Sequence, residues 1–308
     1  MADPGARVME PVHPQRVEVP RAHPADAVPA RGGARTAARR PRRAVPWGRA
    51  AVMAAVLAYL AIVLVLPLGA LVLRALAEGP AALAAAMTSP GALAGLWHSA
   101  VAVALALAIN GTLGVAGAIV LVRHRFWGRR VLDLLVDLPL AVSPVMVGLA
   151  FLLVFGRGGW LRPLTDALGM QVAFAFTGVV LVTLFVTLPY TVREVGYVLA
   201  ELGTAEEEVA ATLGATPWQT FRRVTLPNVR NALGAGLTLT AARALGEFGA
   251  AVVVGGAISG RTQTATTYIY GEMEARNTAG AYGMALLLAI ASTALLLVLR
   301  RAEKKRKR

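Results

Sequence analysis

Three groupings of residues have types and spacing that could do chemistry. Arg243 and Glu247 stand four residues apart inside an apolar stretch. On a helix that spacing puts the two charges on one face, one turn apart. Counting about 1.5 Å per residue from Asn231 sets them roughly 18–24 Å into a spanning helix, a depth at which ionisable groups face a bundle interior or a polar path. The pair can gate or line an anion path, or it can neutralise itself and lock helix packing. A glutamate beside such a path repels anions, so Arg243 is not expected to act as a bare anion trap. Asp133 and Asp137 repeat the spacing, with Asp133 four residues after Arg129. Two carboxylates could hold a cation or relay protons; pairing at a helix end is the plainer reading. The run Gly255–Thr262 reads Gly-x₄-Gly-Arg-Thr. It lacks the lysine that reaches nucleotide phosphates, and no strand pattern precedes it. It is expected to be an outward turn, not a nucleotide site. The chain has no cysteine, which excludes disulfides, thiolate metal sites and cysteine nucleophiles. His13, His23, His98 and His124 show no metal-ligand spacing. No catalytic residue, metal site or bound cofactor is expected in this chain.

The elements that must position these groups are membrane spans. The 308 residues are 56% hydrophobic, with a mean hydropathy of +0.61, well above an ordinary soluble domain. Apolar runs of about 20 residues, enough to cross a bilayer, recur at 51–73, 98–122, 132–155, 172–192, 230–256 and 280–299. The expected fold class is an all-α integral membrane protein with six transmembrane helices. Residues 1–46 read as a disordered basic tail, 47–300 as the transmembrane domain and 301–308 as a second basic tail. Pro139, Pro144 and Pro189 fall within spans, where they kink helices. The segment Ala81–Trp97 reads as a surface helix.

The net charge of +14 could suggest nucleic acid, but its distribution argues for lipid. Residues 1–49, 123–130, 193–230 and 300–308 together hold 25 of the 31 lysines and arginines. These segments alternate with the spans so as to lie on one side. By the positive-inside rule both termini are expected in the cytoplasm, with the basic tails facing anionic lipid and no nucleic-acid partner.

Between the fourth and fifth runs lies a polar island, Thr204–Pro227. Thr204 and Glu207 fit a capping box that starts a helix at Ala205. Gly214 sits where that helix would end in a left-handed residue. Thr216 and Gln219 fit a second capping box, with Pro217 at the first helical position. The spacing predicts two short helices joined by a glycine turn and stopped before Pro227: an elbow suited to presentation to a partner.

The island is similar to the coupling loop of ABC-importer permeases. Glu208-x-Ala210, Gly214, nine intervening residues and Val224-x-Leu226-Pro227 follow its pattern, with Val209 and Val224 as apolar exchanges. The runs D-L-P-L-A-V-S-P-V-M-V-G-L (137–149), F-V-T-L-P-Y-T-V-R-E-V (185–195), G-T-A-E-E-E (203–208), W-Q-T-F (218–221) and A-R-A-L-G-E-F-G-A (242–250) resemble the sulfate/thiosulfate permeases, the W-type subunit most of all. Molybdate and tungstate permeases share the G-E-F-G-A run. The resemblance spans residues 50–300 and implies an ABC type-1 transmembrane domain in the cell membrane. It implies that loop 203–228 docks ABC ATPase subunits, which use the ATP, through Glu207, Glu208, Ala210, Gly214, Leu226 and Pro227. It also implies a T-type second permease, an extracytoplasmic sulfate-binding protein, and an anion path offered dipoles by Ser143, Thr183, Thr187 and Thr238 beside Arg243 and Glu247. Rival readings are a molybdate or tungstate permease, an ion-gradient-driven secondary transporter and a membrane scaffold.

Overall fold

The computed structural model describes residues 47–306, with side chains up to Arg301. The tail expected over 1–46, and residues 307–308, lie outside the described residues. The backbone of 301–306 continues the last helix.

All regular structure among the described residues is helical. In chain order the helices are α1 (Trp47–Ala77), α2 (Pro80–Met87), α3 (Pro90–Arg123), α4 (Arg129–Ala141), α5 (Pro144–Phe155), α6 (Arg162–Ala167), α7 (Phe176–Leu202), α8 (Ala205–Thr212), α9 (Pro217–Leu245), α10 (Gly249–Gly255), α11 (Ala265–Glu274) and α12 (Thr278–Arg306). Helices α1, α3, α7 and α12 are each long and apolar enough to cross a membrane. The pairs α4–α5 and α9–α10 qualify only when each is taken as one bent span, which gives four to six spans in all. Apolar side chains of α1 such as Leu64, Leu68 and Leu73 are exposed, as befits a lipid-facing helix.

Two expected spans are therefore broken. The third does not run straight from 132 to 155, because the chain bends by 119° between α4 and α5. Val142 and Ser143 are extended there (ψ 139° and 137°). The residue before a proline is pushed out of the helical region, and Pro144 lacks the N–H that would continue the ladder. The fifth run bends by 57° between α9 and α10. Pro189, by contrast, is absorbed inside the continuous α7. The surface helix expected over Ala81–Trp97 is instead the short α2 followed by the first turns of α3, whose entry is capped by Ser89 Oγ accepting from Ala92 N at 3.2 Å.

Helix α7 is the centre of the packing: α3 and α9 both lie against it and also pack on each other, where Val103 and Ala106 meet Ala241 and Ala244. The approach of α3 depends on Gly114: a Cβ there would lie 2.6 Å from Thr191 Cγ2 on α7. Polar side chains stitch the three helices together inside the apolar bundle. Asn110 of α3 donates to Leu184 O (3.0 Å) and Thr187 Oγ1 (2.8 Å) of α7. Thr191 of α7 meets Thr240 of α9 at 3.1 Å. Near the end that carries residues 203–228, Val115, Ala118, Leu121, Val136, Val192, Val195, Leu199 and Val229 form one buried cluster. It fixes α3, α4, α7 and α9 where the elbow attaches. At the opposite end Tyr268 of α11 hydrogen-bonds Ser89 at 3.1 Å. Burial raises the Tyr268 phenol above its ordinary value, with the Ser89 contact opposing, so the hydroxyl stays protonated.

Candidate functional site

The elbow forms as a local consequence of its sequence. Helix α8 starts at Ala205 and ends in a glycine turn. Gly214 has φ +83°, a conformation that costs other residues strain. Gly214 N donates to Ala211 O and Ala215 N to Ala210 O, both at 3.0 Å. That crossed pair satisfies the last carbonyls of α8. Thr216 and Gln219 make the second capping box in full, with Pro217 in the first turn. Glu206 and Glu208 are exposed, and so are Val209, Leu213 and Trp218, which are 59%, 83% and 66% accessible. Trp218 leans on Phe221 with ring centroids 5.4 Å apart. The elbow thus shows solvent an acidic edge beside three large apolar side chains, a composition suited to a protein partner.

Two details differ from the sequence reading. Thr204 does not cap α8. Its backbone is helical (φ −113°, ψ −3°) and its hydroxyl donates to Glu208 Oε1 at 2.6 Å. Glu207 is drawn elsewhere: it accepts from Thr225 Oγ1 at 2.8 Å and pairs with Arg123, whose Nη2 donates to Oε1 at 3.3 Å. A charged partner outcompetes a neutral backbone N–H for a carboxylate. The second short helix also does not stop before Pro227. A π-turn over Phe221–Thr225, closed by Leu226 N donating to Phe221 O, shifts the backbone ladder by one residue. The chain then runs through Leu226 and Pro227 into the rest of α9. Leu226 packs against the buried cluster below, whereas Pro227 is exposed.

Arg243 and Glu247 form a second centre. Arg243 Nη1 lies 2.7 Å from Glu247 Oε2, with the Glu247 side chain only 3% exposed and that of Arg243 26%. The break in the fifth span passes through this pair. Glu247 lies after α9, and its Oε1 accepts from Ala250 N at 2.9 Å, capping α10. Its carbonyl accepts from Thr266 Oγ1 at 2.6 Å. The two broken spans meet here: a Cβ on Gly249 would come within 3.2 Å of Pro144 Cβ and Val145 Cγ2, and one on Gly148 within 2.9 Å of Ala250 O. Ser143 therefore stands at one break and Glu247 at the other. Thr183 and Thr187 are buried in α7, donating to Val179 O (2.8 Å) and Thr183 O (2.6 Å). Thr238 donates to Gly234 O at 2.9 Å.

Asp133 and Asp137 do pair near the elbow end, but not with Arg129. Arg193 of α7 reaches both, with Nη1 2.8 Å from Asp133 Oδ1 and Nη2 2.7 Å from Asp137 Oδ2. It also donates from Nη2 to Asp133 O at 3.1 Å. One guanidinium fork spans two carboxylates a turn apart better than a single i, i+4 contact could. Sequence reasoning missed Arg193, Arg123 and Thr225. Arg193 carried a usable signal, a cation directly after the apolar run 172–192, on a helix that continues to Leu202. The Gly255–Thr262 run is a turn in which Thr262 Oγ1 donates to Gly255 O at 2.7 Å and accepts from Ile258 N at 2.9 Å. Among the described residues no group of acidic or histidine side chains is placed to hold a metal.

Residues 110–308 match the family described as "Binding-protein-dependent transport system inner membrane component". The sulfate transport system permease protein CysW of Synechocystis sp. (strain ATCC 27184 / PCC 6803 / Kazusa) is 40% identical over 238 residues, covering 77% of this chain and 86% of that protein. CysW of Escherichia coli (strain K12) is 38% identical over 248 residues, 80% of this chain and 85% of that one. The probable sulfate transport system permease protein cysT of Nephroselmis olivacea is 34% identical over 267 residues, 87% and 93% of the two chains. Among solved structures, a chain of a bacterial ABC transporter involved in import of the acidic polysaccharide alginate superposes with a TM-score of 0.71 at 16% identity, covering 84% of this chain and 96% of its own. At that identity the likeness speaks for the fold alone.

Proposed function

Because the chain belongs to the family of binding-protein-dependent transport inner-membrane components, we propose that it is the permease subunit of an ATP-driven importer that carries sulfate. It is a multi-pass membrane protein and the membrane component of a transport complex, not itself a catalyst. The observation that carries the mechanism is the elbow of α8 and the start of α9. It is held by the Gly214 turn and the Thr216–Gln219 capping box, is joined covalently to two spans, and presents Val209, Leu213 and Trp218 outward beside exposed acids. ABC ATPase subunits dock on that face from the cytoplasm and spend the ATP. Their closure pushes the elbow as a unit, tilts α7 and α9, and alters the facing breaks at Ser143–Pro144 and Glu247–Gly249, a two-state change suited to alternating access. The sulfate-permease names of the relatives support sulfate as cargo. A T-type second permease completes the path, a reading supported by the two kinds of permease name, CysW and cysT, among the relatives, and an extracytoplasmic sulfate-binding protein delivers the anion. Ser143, beside the two breaks, and Arg243, partly exposed next to them, are the path residues that this geometry favours.

Growth of a deletion strain under limitation by one anion at a time tests the reading. Loss of growth on limiting sulfate, rescued by the wild-type gene, is expected. Normal growth on sulfate with failure on limiting molybdate would replace sulfate by molybdate as the cargo. Normal growth on both would remove the transport assignment.

A further inference from the structure

Glu207 lies in the first turn of the elbow, yet it faces inward. Its side chain is 24% exposed and that of Arg123 13%, whereas the neighbouring Glu206 and Glu208 are exposed. Arg123 is the last residue of α3. Its Nη1 donates to Leu199 O in the last turn of α7 at 3.1 Å, and its Nη2 donates to Glu207 Oε1 at 3.3 Å. Its Nε sits 3.2 Å from Glu207 Oε2 but is not aligned to donate. The same Glu207 Oε1 accepts from Thr225 Oγ1 in the π-turn at 2.8 Å. Beside this node, Asn228 of α9 donates to Glu206 Oε2 and closes the elbow against its own span. One guanidinium therefore joins the ends of α3 and α7 to the first turn of α8 and, through Glu207, to the π-turn of α9. Leu199 O is one of the carbonyls that the end of α7 leaves unpaired, because Gly203 is not helical (φ 63°, ψ −159°). Arg123 thus fills a vacancy at one helix end while complementing the acidic start of another.

The elbow is covalently continuous with α7 and α9, but α3 is not. Yet α3 has the most extensive packing on α7, so a rigid movement of the bundle needs α3 to follow the elbow. We propose that Arg123, Glu207 and Thr225 form a strut that carries elbow displacement into α3. Glu207 is then a positioning residue inside the permease and not an ATPase contact; docking is left to Glu208 and the exposed apolar residues. This rests on the importer reading above.

The test uses the complete assembly of both permeases, ATPase and binding protein in proteoliposomes. Sulfate uptake and ATP hydrolysis are followed in parallel, and ATPase co-purification is measured separately. Arg123→Gln is expected to lower sulfate moved per ATP by roughly ten-fold, within the range of ordinary coupling energies, while ATPase still co-purifies. The reversed pair R123E/E207R restores the ion pair but not the bonds to Leu199 O and Thr225 Oγ1, so it is expected to exceed Arg123→Glu alone while staying below wild type. A wild-type ratio in Arg123→Gln would overturn the strut. So would a reversed pair no better than Arg123→Glu, or loss of ATPase co-purification, which would make the node part of the docking face. If Arg123→Gln does not assemble, Thr225→Val decides. It keeps the ion pair and the shape but removes one bond. A smaller fall in the ratio supports the strut, and an unchanged ratio makes the node merely structural. Failure of the wild-type assembly to take up sulfate with ATP would instead refute the importer reading itself.

Discussion

Gly114→Ala measures how closely α3 must approach α7. The added methyl would meet Thr191 Cγ2 at 2.6 Å and Thr191 Cβ at 2.7 Å. Carbon atoms settle at about 3.5–4.0 Å, so roughly 1 Å must be absorbed by shifting one helix. Forcing surplus volume into a packed interior costs about 1–3 kcal/mol. Glycine to alanine within a helix independently gains about 1 kcal/mol from backbone propensity. Gly117 supplies the internal control: it is on the same helix, one turn on, where the nearest atom to an added methyl is Val192 Cγ2 at an ordinary 3.5 Å. The two substitutions share the propensity gain, so their difference isolates the clash, about 1–3 kcal/mol. Thermal unfolding of the purified assembly in detergent reads the order. Gly117→Ala is expected at or above wild type, and Gly114→Ala below Gly117→Ala by several degrees at roughly 2–4 °C per kcal/mol. Gly114→Ala melting with or above Gly117→Ala would refute the packing argument.

Asn110→Ala removes the donor to Leu184 O and Thr187 Oγ1 and is expected to destabilise the assembly by about 1–2 kcal/mol, read by the same melting experiment. Glu247→Gln keeps an acceptor for Ala250 N but ends the charge pair with Arg243. The arginine is a quarter exposed, so the cost is expected at about 1–3 kcal/mol, less than for a fully buried pair; an unchanged melting temperature would show that the pair does not lock the break. Trp218→Ala, which truncates an exposed aromatic on the elbow, is expected to weaken ATPase capture at least ten-fold without moving the melting temperature of the permease pair. Unaltered capture in a pull-down titration would move the docking face elsewhere.

Residues that act on near neighbours in the chain were legible in the sequence. Gly214 and the Thr216–Gln219 box work within a few residues, so spacing alone reveals them. Arg243 and Glu247 were legible for the same reason, being one turn apart. The failures come from partners distant along the chain. Arg123 meets Glu207 across 84 residues and Arg193 meets Asp133 across 60. Each of these long-range pairs displaced a local one expected from spacing, the Thr204–Glu207 box and the Arg129–Asp133 pair. Prolines showed where spans would be disturbed but not how. Pro144 ends a helix and leaves a 119° bend, while Pro189 passes through α7 and Pro227 is accommodated behind a π-turn. The outcome depends on which neighbouring helices can satisfy the freed backbone groups. The hydroxyls of Thr183 and Thr187 look in sequence like dipoles open to a path, yet in α7 both donate to carbonyls one turn back. Their exposure is decided by how α3 and α9 pack on that face.

The most direct test of the whole account is sulfate uptake by the reconstituted assembly with ATP supplied on the ATPase side, compared between wild type and Gly214→Arg. Gly214 has φ +83° in the turn of the elbow, where a large side chain is strained. The account predicts ATP-dependent accumulation of sulfate by wild type, insensitive to dissipation of ion gradients, and loss of both uptake and ATPase capture in Gly214→Arg. Uptake that continues without ATP and collapses with the ion gradient, or a Gly214→Arg assembly that captures ATPase and transports as wild type, would contradict it.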